Sequence, residues 1–281
     1  MSETRMIIRR ALRHRSFAIG GVLSAIMVGM ALLSLVWTPY VPTAINIRRR
    51  LAGPSAEHWL GTDALGRDVV SLILAGAQNS IIVGVLAVGV GLSIGTALGL
   101  AAAAKRGWLE ELVMRFADIT YAFPAVLSAI MLAAVFGPST MNSVVAIAIF
   151  NTPIFARVVR ASANAIWTRD FILAARSAGK GAVRITIEHV LPNILAVIVV
   201  QATIQFALAI LAEAALSYLG LGTQPPTPSW GRMLNEAQSY VFRAPWLAVW
   251  PGFAIAFAVL GLNLLGDGLR DLTDPRLARQ R

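Results

Sequence analysis

The chain has 281 residues, of which 57% are hydrophobic and only 14% are charged. Soluble domains carry roughly 25% charged residues, and a globule of this length cannot cover an interior made of more than half its residues. The composition therefore excludes a soluble enzyme. The absence of cysteine excludes a disulfide framework, a thiolate nucleophile and a cysteine-ligated zinc site in this chain.

Positive charge is in excess, with 24 Lys and Arg residues against 14 Asp and Glu residues. These basic residues lie between long apolar runs and form no continuous stripe, which argues against binding to nucleic acid. Their positions are typical of the flanks of membrane spans. The sequence thus predicts contact with membrane lipid and no nucleic-acid partner.

Five runs without any charged residue divide the chain, at 16–47, 69–104, 119–156, 190–212 and 244–266. Since a spanning helix needs about 20 apolar residues, each run can hold at least one span. The third run is too long for one helix and contains the turn sequence Gly-Pro-Ser-Thr at 137–140, so it predicts two. The fold class is therefore an all-α membrane protein with six transmembrane helices, at 17–37, 79–104, 112–136, 142–159, 192–217 and 246–267.

The positive-inside rule predicts the orientation. With the amino terminus in the cytoplasm, 18 of the 24 Lys and Arg residues fall on that side, and only the arginines at 48–50, 67, 232 and 243 fall outside. A cleaved signal peptide is the alternative for the first segment, but its apolar stretch is long and no small-residue cleavage site follows. We therefore expect a cytoplasmic tail 1–16, a first span 17–37, an extracytoplasmic loop 38–78, a core 79–267 that includes a cytoplasmic loop 160–191 and an extracytoplasmic loop 218–245, and a cytoplasmic tail 268–281.

The cytoplasmic loop mixes arginines with apolar residues at helical spacing. One broad face can hold Ile166, Trp167, Phe171, Ala174 and Ala175, while the charged residues stay in water. Asp170 is expected to cap a short helix, and the glycines at 179 and 181 supply a turn before the next span begins at position 192. The pattern predicts a helix-turn-helix that offers a docking face; the alternative is an amphipathic segment on anionic lipid.

The loop resembles a known family. Residues 170–179, DFILAARSAG, and 189–193, HVLPN, are similar to the EAA loop of permease subunits from bacterial ABC importers, in which this loop docks in a groove of the ATPase subunit. The resemblance assigns ATPase coupling to a set of loop residues: Asp170, Phe171, Ala174, Ala175, Gly179, His189, Leu191 and Pro192. Leu173 stands where the family usually has glutamate, so no salt bridge is expected there, whereas apolar docking can persist.

A second motif narrows the resemblance. Residues 58–68, HWLGTDALGRD, are similar to the segment after the first span of C-type permeases in dipeptide, oligopeptide and nickel importers, and the segments 213–222, 224–231 and 263–271 agree with that family. Two glycines permit tight turns and the charged residues can pair or cap locally. We expect a structural role for this motif, whose residues are Gly61, Thr62, Asp63, Gly66, Arg67 and Asp68. The resemblance implies the type I permease fold in the bacterial inner membrane.

The chain has no GxxxxGK[ST] sequence that could cradle a nucleotide. The resemblance implies a non-catalytic subunit without a cofactor or metal of its own, two partner ATPase subunits that hold ATP and Mg, a B-type permease and an extracytoplasmic substrate-binding protein. The implied function is import of di- or oligopeptides by alternating access. The alternatives are import of nickel or a metal chelate, or, in a different class, a six-helix channel or ion-coupled carrier. Three histidines in separate regions argue against an intramembrane hydrolase.

Ionisable residues inside spans are candidates for function. Asp118, near the cytoplasmic end of its span, is expected to pair with Arg115 or another flanking arginine. Glu213 can either face the translocation path or hold the following loop. Asn151 and Gln205 can line a polar path or bond to each other between helices.

Overall fold

The computed structural model describes residues 14–122 and 125–273. The predicted arginines of the two tails at 5, 9, 10, 13, 276, 279 and 281, and the dipeptide at 123–124, lie outside these residues. Ten α-helices form most of the described part: α1 Arg15–Val36, α2 Val69–Lys105, α3 Trp108–Ala122, α4 Ala125–Phe136, α5 Thr140–Trp167, α6 Asp170–Ser177, α7 Ala182–Ile185, α8 Leu191–Tyr218, α9 Trp230–Ala237 and α10 Trp246–Thr273. A π-helical turn, Thr186–Val190, joins α7 to α8.

In the part of the chain that the structure describes, five helical segments are long and apolar enough to cross a membrane: Arg15–Val36, Val69–Lys105, Thr140–Trp167, Ala182–Tyr218 and Trp246–Leu272. The predicted span 112–136 is instead a pair of helices, α3 and α4, bent by 85°. In the sequence, a proline at 124 lies between the two helices. Counted as one span, the bent pair brings the apolar segments in residues 14–122 and 125–273 to six, the number that the sequence predicts.

The second span begins earlier than predicted, at Val69 rather than at position 79. Asp68 caps α2, because its Oδ2 accepts hydrogen bonds from the backbone N–H and the hydroxyl of Ser71, both at 2.8 Å. The helix has 37 residues, so it is about 55 Å long and exceeds a hydrocarbon core of about 30 Å. Its first turns pack against α9 instead of lipid, and Trp230 Nε1 donates to the carbonyl of Ile73 at 3.0 Å.

Helix α2 is the central helix and packs most extensively on α5. Three glycines spaced four residues apart form the contact. A Cβ at Gly91, Gly95 or Gly99 would lie 2.5 Å from Asn151 Cβ, 2.4 Å from the Thr152 carbonyl oxygen or 2.6 Å from the Ala156 carbonyl oxygen, respectively. Small residues let membrane helices approach closely and gain dispersion energy. This stripe therefore sets the spacing of α2 and α5.

The two ends of α2 belong to different buried clusters. Its first turns pack with α1, α8, α9 and α10, beside the segment 58–68, and we call this side the motif end. Its last turn packs with the end of α5, with α6, α7 and the start of α8, and we call this side the loop end. The helix length thus separates the two sequence motifs across the apolar layer.

Candidate functional site

The loop end carries the predicted coupling helix, α6. Ile172 is fully buried and Ala175 is 8% exposed, and both pack in one cluster with Trp167. Phe171 and Leu173 remain 46% and 54% exposed. One stripe of this eight-residue helix is therefore buried in a cluster with residues of α5 and α8. Its other apolar residues face outward.

This arrangement corrects the predicted docking face. Trp167 and Ala175 point into the protein, whereas Phe171 and Ala174 are exposed, so the residues assigned to one face lie on two. The periodicity missed Ile172, which lies three residues before Ala175 and therefore shares its stripe. We call the outward-facing group the exposed loop surface; it comprises Phe171, Leu173, Ala174, Val183 and Ile187.

The turn after α6 forms as the glycine pattern predicts. Gly179 has φ +79°, in the left-handed region that favours glycine. Its N–H donates to the Arg176 carbonyl at 2.9 Å, and Lys180 N–H donates to the Ala175 carbonyl at 3.1 Å. These two bonds close the helix with a Schellman motif. At the other end, Asp170 is the first helical residue and Arg169 occupies the cap position, so the predicted side-chain cap is not formed.

Proline 192 does not begin the next span. The helix runs from Ala182 to Tyr218, and the π-helical turn brings the Leu191 N–H to the Thr186 carbonyl. The residue after Leu191 is a proline without an N–H, and a π-turn is a known way to change the bonding register inside a helix. Pro192 therefore lies in the first turn of α8, at the join to the loop.

Glu188 forms ion pairs with two basic residues of the same loop, and the sequence did not predict this role. Its two oxygens accept hydrogen bonds from Lys180 Nζ at 2.5 Å and Arg184 Nε at 2.6 Å. Hydrogen bonds between charged groups of this kind are stronger than those between neutral groups. The spacing of Arg184 and Glu188, four residues apart on a helix, was the available signal. His189, a predicted coupling residue, lies 3.1 Å from Lys180 Nζ and packs its ring edge-on against Phe171.

The segment 58–68 is a compact ionic structure at the motif end. Arg67 donates to Asp63 at 2.5 Å and to Glu236 of α9 at 2.6 Å. Burial alone lowers the pKa of Arg67, but the charges of Asp63 and Glu236 raise it, and the net direction is upward. His58 Nδ1 lies 2.9 Å from Asp68 Oδ1. This geometry fastens the loop to α9.

Backbone geometry explains the other residues of this motif. Gly61 and Gly66 both have positive φ, and a Cβ at Gly66 would lie 1.9 Å from the carbonyl oxygen of Asn46. Thr62 donates its hydroxyl to the Arg49 carbonyl and bridges to Asp68 in the backbone. These contacts join residues of the same chain, so their geometry is that of residues that stabilise the loop.

The structure separates Glu213 from the other two path candidates. Glu213 is fully buried, and Ser217, Asn79, Thr223 and Ser80 donate to its carboxyl at 2.7, 3.2, 3.3 and 3.4 Å. Its donors lie on α2, α8 and the loop after α8. Of the two roles left open by the sequence, this geometry corresponds to holding the following loop, and a role of Glu213 in the translocation path stays a prediction.

Asn151 and Gln205 do come together. Gln205 Nε2 donates to Asn151 Oδ1 at 3.2 Å, and both residues line a cavity of about 230 Å³ between α4, α5 and α8. The remaining walls are alanine and larger apolar side chains. Asp118 instead pairs with Arg157 at 2.5 Å, which is a flanking arginine other than Arg115.

Residues 95–279 match the protein family described as the binding-protein-dependent transport system inner membrane component. The chain belongs to this family. It is 45% identical to the dipeptide transport system permease protein DppC of Alkalihalophilus pseudofirmus, over 95% of this chain and 88% of that protein. It is 43% identical to the glutathione transport system permease protein GsiD of Pectobacterium atrosepticum, over 96% of this chain and 90% of that protein.

The fold is that of a type I ABC importer permease. An inward-facing structure of the MetNI methionine ABC transporter superposes with a TM-score of 0.60 at 19% identity, over 72% of this chain and 97% of that chain. The family and the apolar helices make this chain a multi-pass inner-membrane protein. The predicted fold and family are both confirmed.

Proposed function

We propose that this chain is a non-catalytic permease subunit of an ATP-driven importer of short peptides. It works with a homologous B-type permease, two ATPase subunits that carry ATP and Mg, and an extracytoplasmic substrate-binding protein. Support for the cargo comes from the relatives, which are named for dipeptide and glutathione transport and align over nearly the whole chain. Both cargoes are short molecules with amide bonds.

The exposed loop surface is the observation that carries this proposal. A helix whose inner stripe is anchored in the bundle can transmit force to α5 and α8, because Ile172 belongs to one buried cluster with Trp167 of α5 and Ile194 of α8. Its outer side keeps Phe171 and Leu173 available for a partner. We propose that this surface lies in the cytoplasm and docks on an ATPase subunit, and that both chain termini lie on the same side of the membrane.

We propose that coupling uses this anchored helix. Closure of the ATPase pair moves α6, the anchored stripe moves the ends of α5 and α8, and the bundle changes between outward and inward access. ATP on one side and liganded binding protein on the other bias the same two states. Leu173 contributes apolar contact area, since it offers no charge for a salt bridge.

The test is uptake by the complex reconstituted in liposomes with its partner subunits. We expect vanadate-sensitive uptake of labelled dipeptides that requires ATP on the loop side, with nickel as a competitor that has no effect. Leu173→Asp should release the ATPase subunits during purification, because it places a charge in an apolar contact. The control is Leu173→Met, which keeps an apolar side chain at the same position and should retain the ATPase subunits. Uptake without ATP, or ATPase retention by Leu173→Asp, would contradict the proposal.

A further inference from the structure

The segment 37–50, which follows α1, combines exposed apolar side chains with unpaired positive charge. Arg48 and Arg50 are exposed, and their guanidinium groups have no partner among residues 14–122 and 125–273. Three aliphatic side chains of the segment are more than half exposed: Val41, Ile45 and Ile47. Because exposed apolar side chains that lie together mark a surface that another molecule covers, this segment suits an occupant that is both apolar and negatively charged.

Helix α1 sets the depth of this segment in the membrane. It has 22 residues and is therefore about 33 Å long, close to a hydrocarbon core of about 30 Å. Only 22% of its apolar stretch is buried, the smallest share among the five long apolar helices of the described residues. The helix thus crosses at the edge of the bundle, and Trp37, which is 50% exposed at its end, lies at the level of the lipid headgroups.

A chain of contacts holds the arginines near that level. The Tyr40 N–H donates to Ser71 Oγ at 3.0 Å, and the Ser71 hydroxyl donates to Asp68, the cap of α2. Asp68 in turn forms a backbone bridge with Thr62, whose hydroxyl donates to the carbonyl of Arg49. The two unpaired arginines flank Arg49 and therefore lie beside the first turn of α2, next to the residues that leave the hydrocarbon core.

The family match argues against a binding protein as the occupant. The family is described by its dependence on a binding protein, and its model matches residues 95–279. The segment 37–50 lies outside this range, so the docking that the family has in common does not require it. An anionic phospholipid fits both features of the segment, because arginine binds phosphate through paired hydrogen bonds and the upper acyl layer receives aliphatic side chains.

We propose that the segment 37–50 binds the headgroup of an anionic phospholipid in the leaflet at the motif end. Arg48 and Arg50 bind the phosphate, while the three aliphatic side chains enter the boundary between headgroups and acyl chains. In the proposed orientation these arginines are exceptions to the positive-inside rule, and the bound lipid compensates their charge. The site requires only that α1 spans the membrane, so it does not depend on the cargo.

The depth of the segment can be measured by electron paramagnetic resonance. The chain has no cysteine, so Ile45→Cys places a single nitroxide on the segment. The full chain is reconstituted in vesicles of phosphatidylcholine and of an equal mixture with phosphatidylglycerol. We expect dissolved oxygen, which concentrates in the bilayer, to reach the label better than a water-soluble nickel chelate, and the mixed vesicles to slow the motion of the label.

The charge requirement is tested by titrating phosphatidylglycerol into the vesicles and following the motion of the same label. Arg48→Gln combined with Arg50→Gln changes only exposed side chains and should weaken the apparent affinity about fivefold for each arginine. The matched control is Arg115→Gln in α3, which removes an arginine that is 72% exposed and should leave the titration unchanged.

Two results would overturn the site. The first is a label that the chelate reaches as readily as oxygen in both kinds of vesicle, or that becomes protected only when a binding protein or a second permease is added, because the occupant would then be a protein. The second is a double arginine variant with the wild-type titration, because the arginines would then not bind the lipid phosphate.

Discussion

The side-chain amide of Asn79 in α2 donates to Glu213 Oε1 in α8 across 3.2 Å, although the two residues are 134 positions apart. The same carboxyl accepts from Thr223 in the loop that follows α8. One buried acceptor thus ties a helix pair to the loop at the motif end. Substitution of this carboxyl therefore tests the stability of this end of the bundle.

Replacing Glu213 with Leu should lower the stability of the protein by about 1–3 kcal/mol for each donor that is left buried without an acceptor. Glu213→Gln keeps one oxygen and should cost less. The unfolding temperature of the purified protein in detergent provides the measurement. Ser80→Ala removes a single donor, which lies 3.4 Å from the carboxyl, and serves as the mild control. If Glu213→Leu were as stable as Ser80→Ala, the carboxyl would not hold this end together.

Arg67 provides a second test of stability at the motif end. Arg67→Met should cost about 3–5 kcal/mol, because it leaves Asp63 buried without its cation. Arg232 also pairs with Glu236, at 2.8 Å, but its side chain is 23% exposed against 9% for Arg67. Arg232→Met should therefore cost at most about 1 kcal/mol. Chemical denaturation of both variants measures the loss of unfolding free energy. It would show whether this loss depends on the burial of the ion pair or only on its presence.

The glycine stripe of α2 makes a third prediction. Gly95→Ala places a Cβ 2.4 Å from the Thr152 carbonyl oxygen and should force α2 from α5, at a cost of about 1–3 kcal/mol. Gly89 lies on the same helix, and a Cβ there would have no neighbour within 4 Å, so Gly89→Ala should be neutral or stabilising by up to about 1 kcal/mol. Thermal unfolding of the two variants in the same detergent compares them directly. A larger loss for Gly89→Ala would refute the close-packing explanation.

The sequence located the apolar segments because a bilayer excludes charge, so uncharged runs of sufficient length are spans. It placed the start of α2 ten residues too late, although the uncharged run begins at position 69, because a bilayer requires only about 20 apolar residues. The additional turns pack on α9 and α10 of the same chain. The bend between α3 and α4 was also missed. Tertiary packing of this kind leaves no periodic signal that distinguishes it from contact with lipid.

In the candidate sites, too, short-range contacts could be predicted from the sequence and long-range contacts could not. The pairing of Asp63 with Arg67 could be anticipated because the residues are four apart, whereas the contact of Arg67 with Glu236 joins residues 169 apart. The predicted docking face was partly wrong because α6 is short and both of its sides are apolar. Which side docks inward depends on Trp167 and Ile194, and the loop sequence alone does not contain that information.

Substitutions of Gly179 test whether the backbone conformation at this turn is needed for transport. Its φ of +79° is unfavourable for a side chain, so Gly179→Val should strain the turn by about 1–2 kcal/mol and change the direction of α6 relative to α7. Apart from its chain neighbours, no atom of the described residues lies within 4 Å of a Cβ at this position, so steric crowding is not the cause. We expect loss of ATP-driven peptide uptake while the amount of the subunit in the membrane stays at the wild-type level.

The matched control is Gly181→Val, because Gly181 has φ −72° and the same open surroundings. It should retain uptake. Gly179→Asn should retain part of it, because asparagine tolerates the left-handed region better than other residues. Uptake of labelled dipeptide into intact cells, normalised to subunit content, ranks the three variants. Equal activity of Gly179→Val and Gly181→Val would mean that the orientation of α6 does not control coupling, whereas the order glycine, asparagine, valine at position 179 would attribute coupling to this single backbone angle.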